Sequence, residues 1–335
     1  MYIAERGCIP CAKRHRSEQG RQDADVGMPP KQREYPNRFF DSTVWNDFVF
    51  RTDDIVIASY AKAGNTWVQQ IVAQLIFAAD AQVPVSSVSP WLDSVYPDKA
   101  TKLRLLAEQR HRRFVKTHLP ADALVLSEQA RYLYVGRDGR DIVWSLYDHQ
   151  RAVSVDAQAR LDAEPRSGGK LKVMRPPACP VAEYFETWLR EDGAPLWPFW
   201  EGVRSWWVLR DCDNVLLVHY AALLQDLPAQ VRRIAAFLDV PLDPARCERV
   251  LRHCSLEYMR AHAARYVPQG AGFWRDGGRA FFNRGCNGRW RETLAPAANA
   301  AYLQRAAAEL GADCAHWLAT GESAGAAHAV VGMVT

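Results

Sequence analysis

Four short segments of this chain hold residue types that can grip an anion and move a proton. The first, Ser59-Tyr60-Ala61-Lys62-Ala63-Gly64-Asn65-Thr66-Trp67, lies between an apolar run and a helical pattern. Its small residues let backbone N–H groups approach an anion closely, and a following helix N-terminus adds partial positive charge. Lys62 supplies a point charge and Thr66 a hydroxyl. A plain tight βα turn would use the same small residues. The G-x-x-x-x-G-K-[ST] pattern of nucleotide triphosphatases is absent, because the lysine precedes the glycine. No acid stands out as a ligand for the Mg²⁺ that nucleotide phosphoryl transfer requires. A sulfuryl group carries less negative charge than a phosphoryl group, and its transfer can proceed without a metal.

The second segment, Phe114-Val115-Lys116-Thr117-His118-Leu119-Pro120, is a β run ending in Lys-Thr-His. A histidine at the carboxyl end of a strand sits where open α/β sheets place ligands, and its ordinary pKa of about 6.5 suits proton removal. An imidazole satisfied by local hydrogen bonds is the plainer alternative. The third segment runs from Tyr134 to Ser145 through Gly136-Arg137-Asp138-Gly139-Arg140-Asp141. Arg137 closes a strand and can hold a phosphate bidentately, or pair with one of the two aspartates. Asp138 and Asp141 read as capping or helix-positioning groups. The fourth, Phe281-Phe282-Asn283-Arg284-Gly285-Cys286-Asn287-Gly288-Arg289-Trp290, is a glycine-punctuated basic loop or a solvated turn. It follows a flexible run, Gly270 to Gly278, able to close over a ligand.

The elements that must position these groups alternate. Ile55–Ser59, Phe114-Val115, Tyr132–Val135 and Val215–Val218 are strand candidates. Helical spacing recurs at Trp67, Ile71, Leu75 and Ala78, at Ile142, Val143, Leu146 and Tyr147, and over Val231 to Leu238. The pattern predicts one P-loop-like α/β domain, a central parallel sheet flanked by helices on both faces. Residues 1–38 read as a flexible leader, 39–318 as the domain and 319–335 as a flexible tail. A Gly-, Pro- and charge-rich stretch, about 151–178, reads as a lid. Trp188, Trp197, Trp200, Trp206 and Trp207 cluster within 181–209, as core or as the wall of an apolar acceptor pocket.

Composition excludes other classes. Hydrophobic residues make up 48% and charged residues 24%, a globular balance. A net charge of +4, with no basic block, does not describe a nucleic-acid binder. The cations are mostly arginines, which singles out Lys62 and Lys116. No apolar run has the length of a membrane span or a secretory signal, so the expected address is the cytoplasm. Cys8-x-x-Cys11 alone has metal spacing and lacks a second pair of ligands; free thiols are the favoured reading.

In this order and at these distances, the four segments resemble the cytosolic-type PAPS-dependent sulfotransferase family, its bacterial aryl- and alcohol-type members most, over about residues 39–295. The family's Tyr-Pro-Lys-Ser-Gly-x-Thr-Trp loop stands here as Tyr60 to Trp67, with Ala61 for Pro and Ala63 for Ser. Lys-Thr-His-Leu-Pro is intact as Lys116 to Pro120, and Arg-Asp-x-x-Asp-x-x-x-Ser as Arg137 to Ser145. The Arg-Lys-Gly-x-x-Gly-x-Trp loop becomes Asn283 to Trp290, with Asn283 replacing an arginine. The resemblance implies an EC 2.8.2-type enzyme that moves a sulfuryl group from 3′-phosphoadenosine 5′-phosphosulfate (PAPS) to a hydroxyl of a small acceptor, leaving 3′,5′-bisphosphoadenosine, with no metal. It implies His118 as base, with Lys62 and Lys116 stabilising charge. It also implies that Lys62, Gly64, Asn65 and Thr66 hold the phosphosulfate end, that Trp67 stacks near the adenine, and that Arg137, Ser145, Arg284 and Gly285 hold the 3′-phosphate. Tyr220 and Ser255, in His219-Tyr220 and His253-Cys254-Ser255-Leu256, then meet the adenine. Nearby aromatics, with Tyr96, Phe273 and Trp274, favour an apolar or aromatic phenol or alcohol. The family's dimer motif is not recognisable in Arg291 to Ala300, so a homodimer stays open. The alternatives are a P-loop-like small-molecule kinase and a non-catalytic nucleotide-binding member of the fold.

Overall fold

A computed structural model of the chain describes residues 28–37, 39–80, 82–163 and 175–322. The Cys8/Cys11 pair, most of the leader, the middle of the lid stretch and the end of the tail lie outside the described residues. Within the leader stretch, Gln32 N and Arg33 N both donate to Asp122 O, and Tyr35 packs against the core.

Four parallel strands, β1 (Ile55–Ser59), β2 (Phe114–Thr117), β3 (Arg131–Gly136) and β4 (Val215–His219), form one sheet in the order β2-β1-β3-β4. β1 is buried along its whole length. That burial explains its continuous apolar run, since a strand covered on both faces has no polar side. Val56, Ala58, Tyr132 and Tyr134 point to one core. Ile55, Ile57, Leu133 and Val135 point to the other. Helix Asn65–Ile76, following β1, covers the second face together with Leu227–Phe237 and Pro244–His253. Helices Gly139–Arg151, Val181–Arg190, Trp200–Trp207 and Pro296–Thr320 cover the first.

The helix after β1 ends at Ile76, so Ala78 lies outside it. Ala78 and Ala79 both take positive φ (53° and 65°), which breaks the ladder and turns the chain. Of the tryptophan cluster, Trp188, Trp197, Trp200 and Trp206 are buried. Two buried ion pairs stiffen the frame: Arg113 with Asp54 joins the starts of β2 and β1, and Arg140 with Asp138 opens the Gly139–Arg151 helix.

Connections from β1 and β3 leave in opposite directions, so the crevice beyond their carboxyl ends is the switch point where such sheets receive ligands. Gly136 closes β3 immediately before Arg137, and the indole of Trp317 packs into the space a side chain there would need. Gly136→Ala therefore overpacks the interface between the sheet and the C-terminal helix. A loss of about 1–3 kcal/mol in urea unfolding is expected; unchanged stability would show that Trp317 can move aside.

Candidate active site

Between β1 and its helix the chain must reverse within five residues. Lys62 (φ 65°) and Gly64 (φ 110°) take left-handed conformations to do so. Glycine is needed at 64 for a second reason: a Cβ there would come within 2.7 Å of the Tyr220 ring. Among the described residues no acceptor meets the backbone N–H groups of Gly64, Asn65 or Thr66, which open the helix. Such a turn presents donors and the positive end of a helix dipole together.

Three cations converge beside it. Arg137, buried, donates through Nη1 to the Lys62 carbonyl (3.0 Å), through Nη2 to Cys286 O (3.1 Å) and through Nε to Asn287 Oδ1 (3.1 Å). Its guanidinium lies 4.0 Å from the centre of the Tyr220 ring. Lys62 Nζ donates to His149 Nδ1 at 3.0 Å and sits 4.6 Å from the Phe281 ring centre. Lys116, at the end of β2, lies 5.2 Å over Trp91. None of the three bonds a carboxylate among the described residues. Burial, then the charges of Lys116 and Arg137, push the Lys62 ammonium down to about 7. Burial likewise lowers Lys116 to about 8, with Asp93 opposing.

His118 follows β2 directly. Its Nδ1 is 2.6 Å from the Ser59 carbonyl, which can only accept, so the proton sits on Nδ1 and Nε2 keeps its lone pair. Trp91 and Trp197 flank the ring at 4.9 and 5.6 Å. Burial, then the neighbouring Lys116, hold this imidazole well below its ordinary pKa.

The Asn283–Trp290 loop closes over the Gly139–Arg151 helix. Asn283 Nδ2 and Arg289 Nη1 both donate to Asp148 Oδ2, Gly288 N donates to Asp141 Oδ1, and the Trp290 ring stacks under Arg140. Gly285 takes a positive φ with Leu256 packed against it. The loop thus brings Gly285 and its neighbours to Arg137.

With this geometry in place, comparison with known proteins is direct. Residues 52–313 match the family model of the sulfotransferase domain. The chain belongs to this sulfotransferase family. It is 30% identical over 293 residues to a glycolipid sulfotransferase of Mycobacterium bovis, covering 81% of this chain and 89% of that one. It is 28% identical over 222 residues to mouse sulfotransferase 1B1, covering 64% and 68%. The crystal structure of mouse sulfotransferase SULT7A1 complexed with PAP has the same fold, with a TM-score of 0.64, 20% identity, and 82% and 91% coverage. Retinol dehydratase in complex with androsterone and inactive cofactor PAP follows at 0.61, 22% identity, and 78% and 81% coverage. Family membership makes this chain a sulfuryl-transfer enzyme rather than a kinase.

Several of the residues singled out in this sulfotransferase also carry structural bonds. Asn65 turns back, donating to Ile57 O and Ser59 Oγ. Ser255 caps the helix Leu256–Ala261 by accepting from Tyr258 N. Trp67 Nε1 donates to Cys254 O at 2.8 Å while its ring meets Tyr220 edge-on. Thr66 and Ser145 are partly buried, and Arg284 is exposed beside an open cavity of about 280 Å³ that Arg151, Arg260 and Arg275 also line. Arg137 pairs with neither Asp138 nor Asp141; Asp138 is taken by Arg140. Tyr96 is 71% exposed, whereas Trp274 is buried beside His149. Among the described residues no His/Cys/Asp/Glu group could hold a metal ion, and no helix is long and apolar enough to cross a membrane.

Sequence reasoning missed Asp148, His149, Trp91 and Asp93. The signal for the first two was present. Asp141, Ser145 and His149 recur at i, i+4 on one helix face, with Asp148 beside them. In ¹⁵N NMR spectra, His118 should carry its proton on Nδ1 and stay neutral at about pH 6, below the ordinary histidine midpoint. An imidazolium at that pH would contradict the buried, carbonyl-bonded tautomer.

Proposed function

We propose that this enzyme sulfates a hydroxyl of a small apolar or aromatic acceptor, with PAPS as donor and His118 as the base. The observation that carries the reading is the meeting of an unprotonated Nε2 with three cations, Arg137 buried and Lys62 and Lys116 partly so, that bond no carboxylate among the described residues. A ligand bearing several negative charges matches that site, and a neutral one does not. The N–H groups of Gly64, Asn65 and Thr66, unpaired among the described residues, add donors of the kind phosphate oxygens accept. The donor supplies an activated sulfuryl group on a phosphate leaving group.

Lys62, Gly64 and Thr66 hold the phosphosulfate end, with Asn65 contributing its backbone N–H. Arg137, Ser145, Arg284 and Gly285 hold the 3′-phosphate. Trp67 and Tyr220, edge to face at 5.6 Å, flank the adenine, with Ser255 at its far end. His118 Nε2 takes the proton of the acceptor hydroxyl as its oxygen bonds to sulfur, and the Ser59 carbonyl steadies the imidazolium through Nδ1–H. Lys62 meets the negative charge left on the phosphate oxygen when the sulfur–oxygen bond breaks. Lys116 steadies the sulfuryl oxygens.

Around His118, Trp91, Trp197, Phe39, Phe40 and Tyr60 pack ring on ring. This wall supports phenols or hydrophobic alcohols over sugars. A cytoplasmic address completes the reading.

His118→Ala should lower kcat for sulfation of a phenol by about 10²–10⁴-fold while calorimetric binding of 3′,5′-bisphosphoadenosine stays within a few-fold. Normal turnover by that variant would remove His118 from the chemistry.

A further inference from the structure

Lys62 is held at both ends. Its carbonyl accepts from Arg137, and its ammonium donates to Nδ1 of His149, a residue from a different element. The His149 ring is fixed in turn: it packs 4.6 Å from Trp274 and 5.4 Å from Phe281. Trp274 is anchored through its indole N–H to Pro268 O, and Phe281 presents its face to the same ammonium. An ammonium has no lone pair, so Nδ1 must be the acceptor, which puts the ring proton on Nε2.

We propose that His149 is a positioning residue for Lys62, its neutral imidazole aiming the ammonium into the crevice and helping to keep it charged. The proposal rests on Lys62 acting as the cation that meets the leaving group. A lysine on a flexible four-carbon stem would otherwise spend most of its time in other rotamers. An acceptor that engages the charged form also favours that form.

The groups facing this pair are mostly cationic. Lys116 comes from β2, Arg137 follows β3, and neutral His118 follows β2; Asp148, next to His149 on the helix, is the opposing charge. Burial and then Lys62 hold the His149 imidazole well below its ordinary pKa, so it is neutral near pH 7. Lys62, pushed down to about 7 by burial first, titrates where a lost acceptor is felt. The sign follows. Removing the acceptor destabilises the ammonium, moves its midpoint lower, and shifts the alkaline limb of the kcat–pH profile toward acid.

The experiment compares His149→Phe, His149→Asn and His149→Gln with the wild type and Lys62→Met. Readouts are ¹³Cε-lysine NMR titration of the ligand-free protein, the kcat–pH profile, and calorimetric binding of 3′,5′-bisphosphoadenosine. In His149→Phe the Lys62 resonance should titrate about one unit lower, and kcat at pH 7.5 should fall about tenfold. Asparagine, whose amide oxygen replaces Nδ1, should restore both; glutamine, which reaches one methylene too far, should not. If the Phe variant does not fold, the Asn–Gln pair alone decides. Unchanged Lys62 titration in His149→Phe, or equal behaviour of Asn and Gln, overturns the proposal. Full activity in Lys62→Met would instead overturn the role assigned to Lys62 itself.

Discussion

Uncompensated positive charge at the carboxyl edge of the sheet governs this structure. Removing a cation from water costs several kcal/mol unless something replaces its solvation. Elsewhere in the chain buried arginines are neutralised in the usual way, Arg113 by Asp54 and Arg140 by Asp138. Lys62, Lys116 and Arg137 are treated differently. They receive dipoles instead of charges: an imidazole and an aromatic face for Lys62, carbonyls and an amide for Arg137, an aromatic face for Lys116. Dipoles make the cations tolerable without cancelling them, so the field remains available to an anion.

The scaffold's features follow from keeping that field in one place. Parallel strands end at one edge, which lets the loop after β1, the end of β2 and the residue after β3 each deliver one cation. The Asn283–Trp290 loop is drawn over the crevice by acids set about two turns apart on the Gly139–Arg151 helix, Asp141 and Asp148. Tryptophans around His118 exclude water, which strengthens every remaining electrostatic interaction. The same dryness holds the histidine neutral and thus able to take a proton.

Much of this was legible in the sequence because it depends on local pattern. A strand buried on both faces needs a continuous apolar run, and Ile55–Ser59 has one. The order of lysine and glycine after β1 separates this loop from the nucleotide triphosphatase type. Other features depend on contacts between distant segments and leave no local trace. Arg137 stands next to two aspartates in sequence, yet bonds a loop 150 residues away. Ser255 read only as a ligand contact, and its hydroxyl also caps the helix that starts there, which the sequence did not announce. Ala78 continued a helical period that the backbone abandons two residues earlier. Trp91 and Asp93 lie in a segment with no periodicity, and only the fold brings them beside His118 and Thr117.

The measurement closest to the central claim is calorimetric titration of the purified protein with 3′,5′-bisphosphoadenosine, 5′-AMP and ATP–Mg²⁺ in parallel. If Lys62, Lys116 and Arg137 are matched to a 3′-phosphorylated sulfuryl donor, bisphosphoadenosine binds without metal and far more tightly than 5′-AMP. Equal binding of the two adenosine phosphates, or a preference for ATP that requires Mg²⁺, would contradict the account.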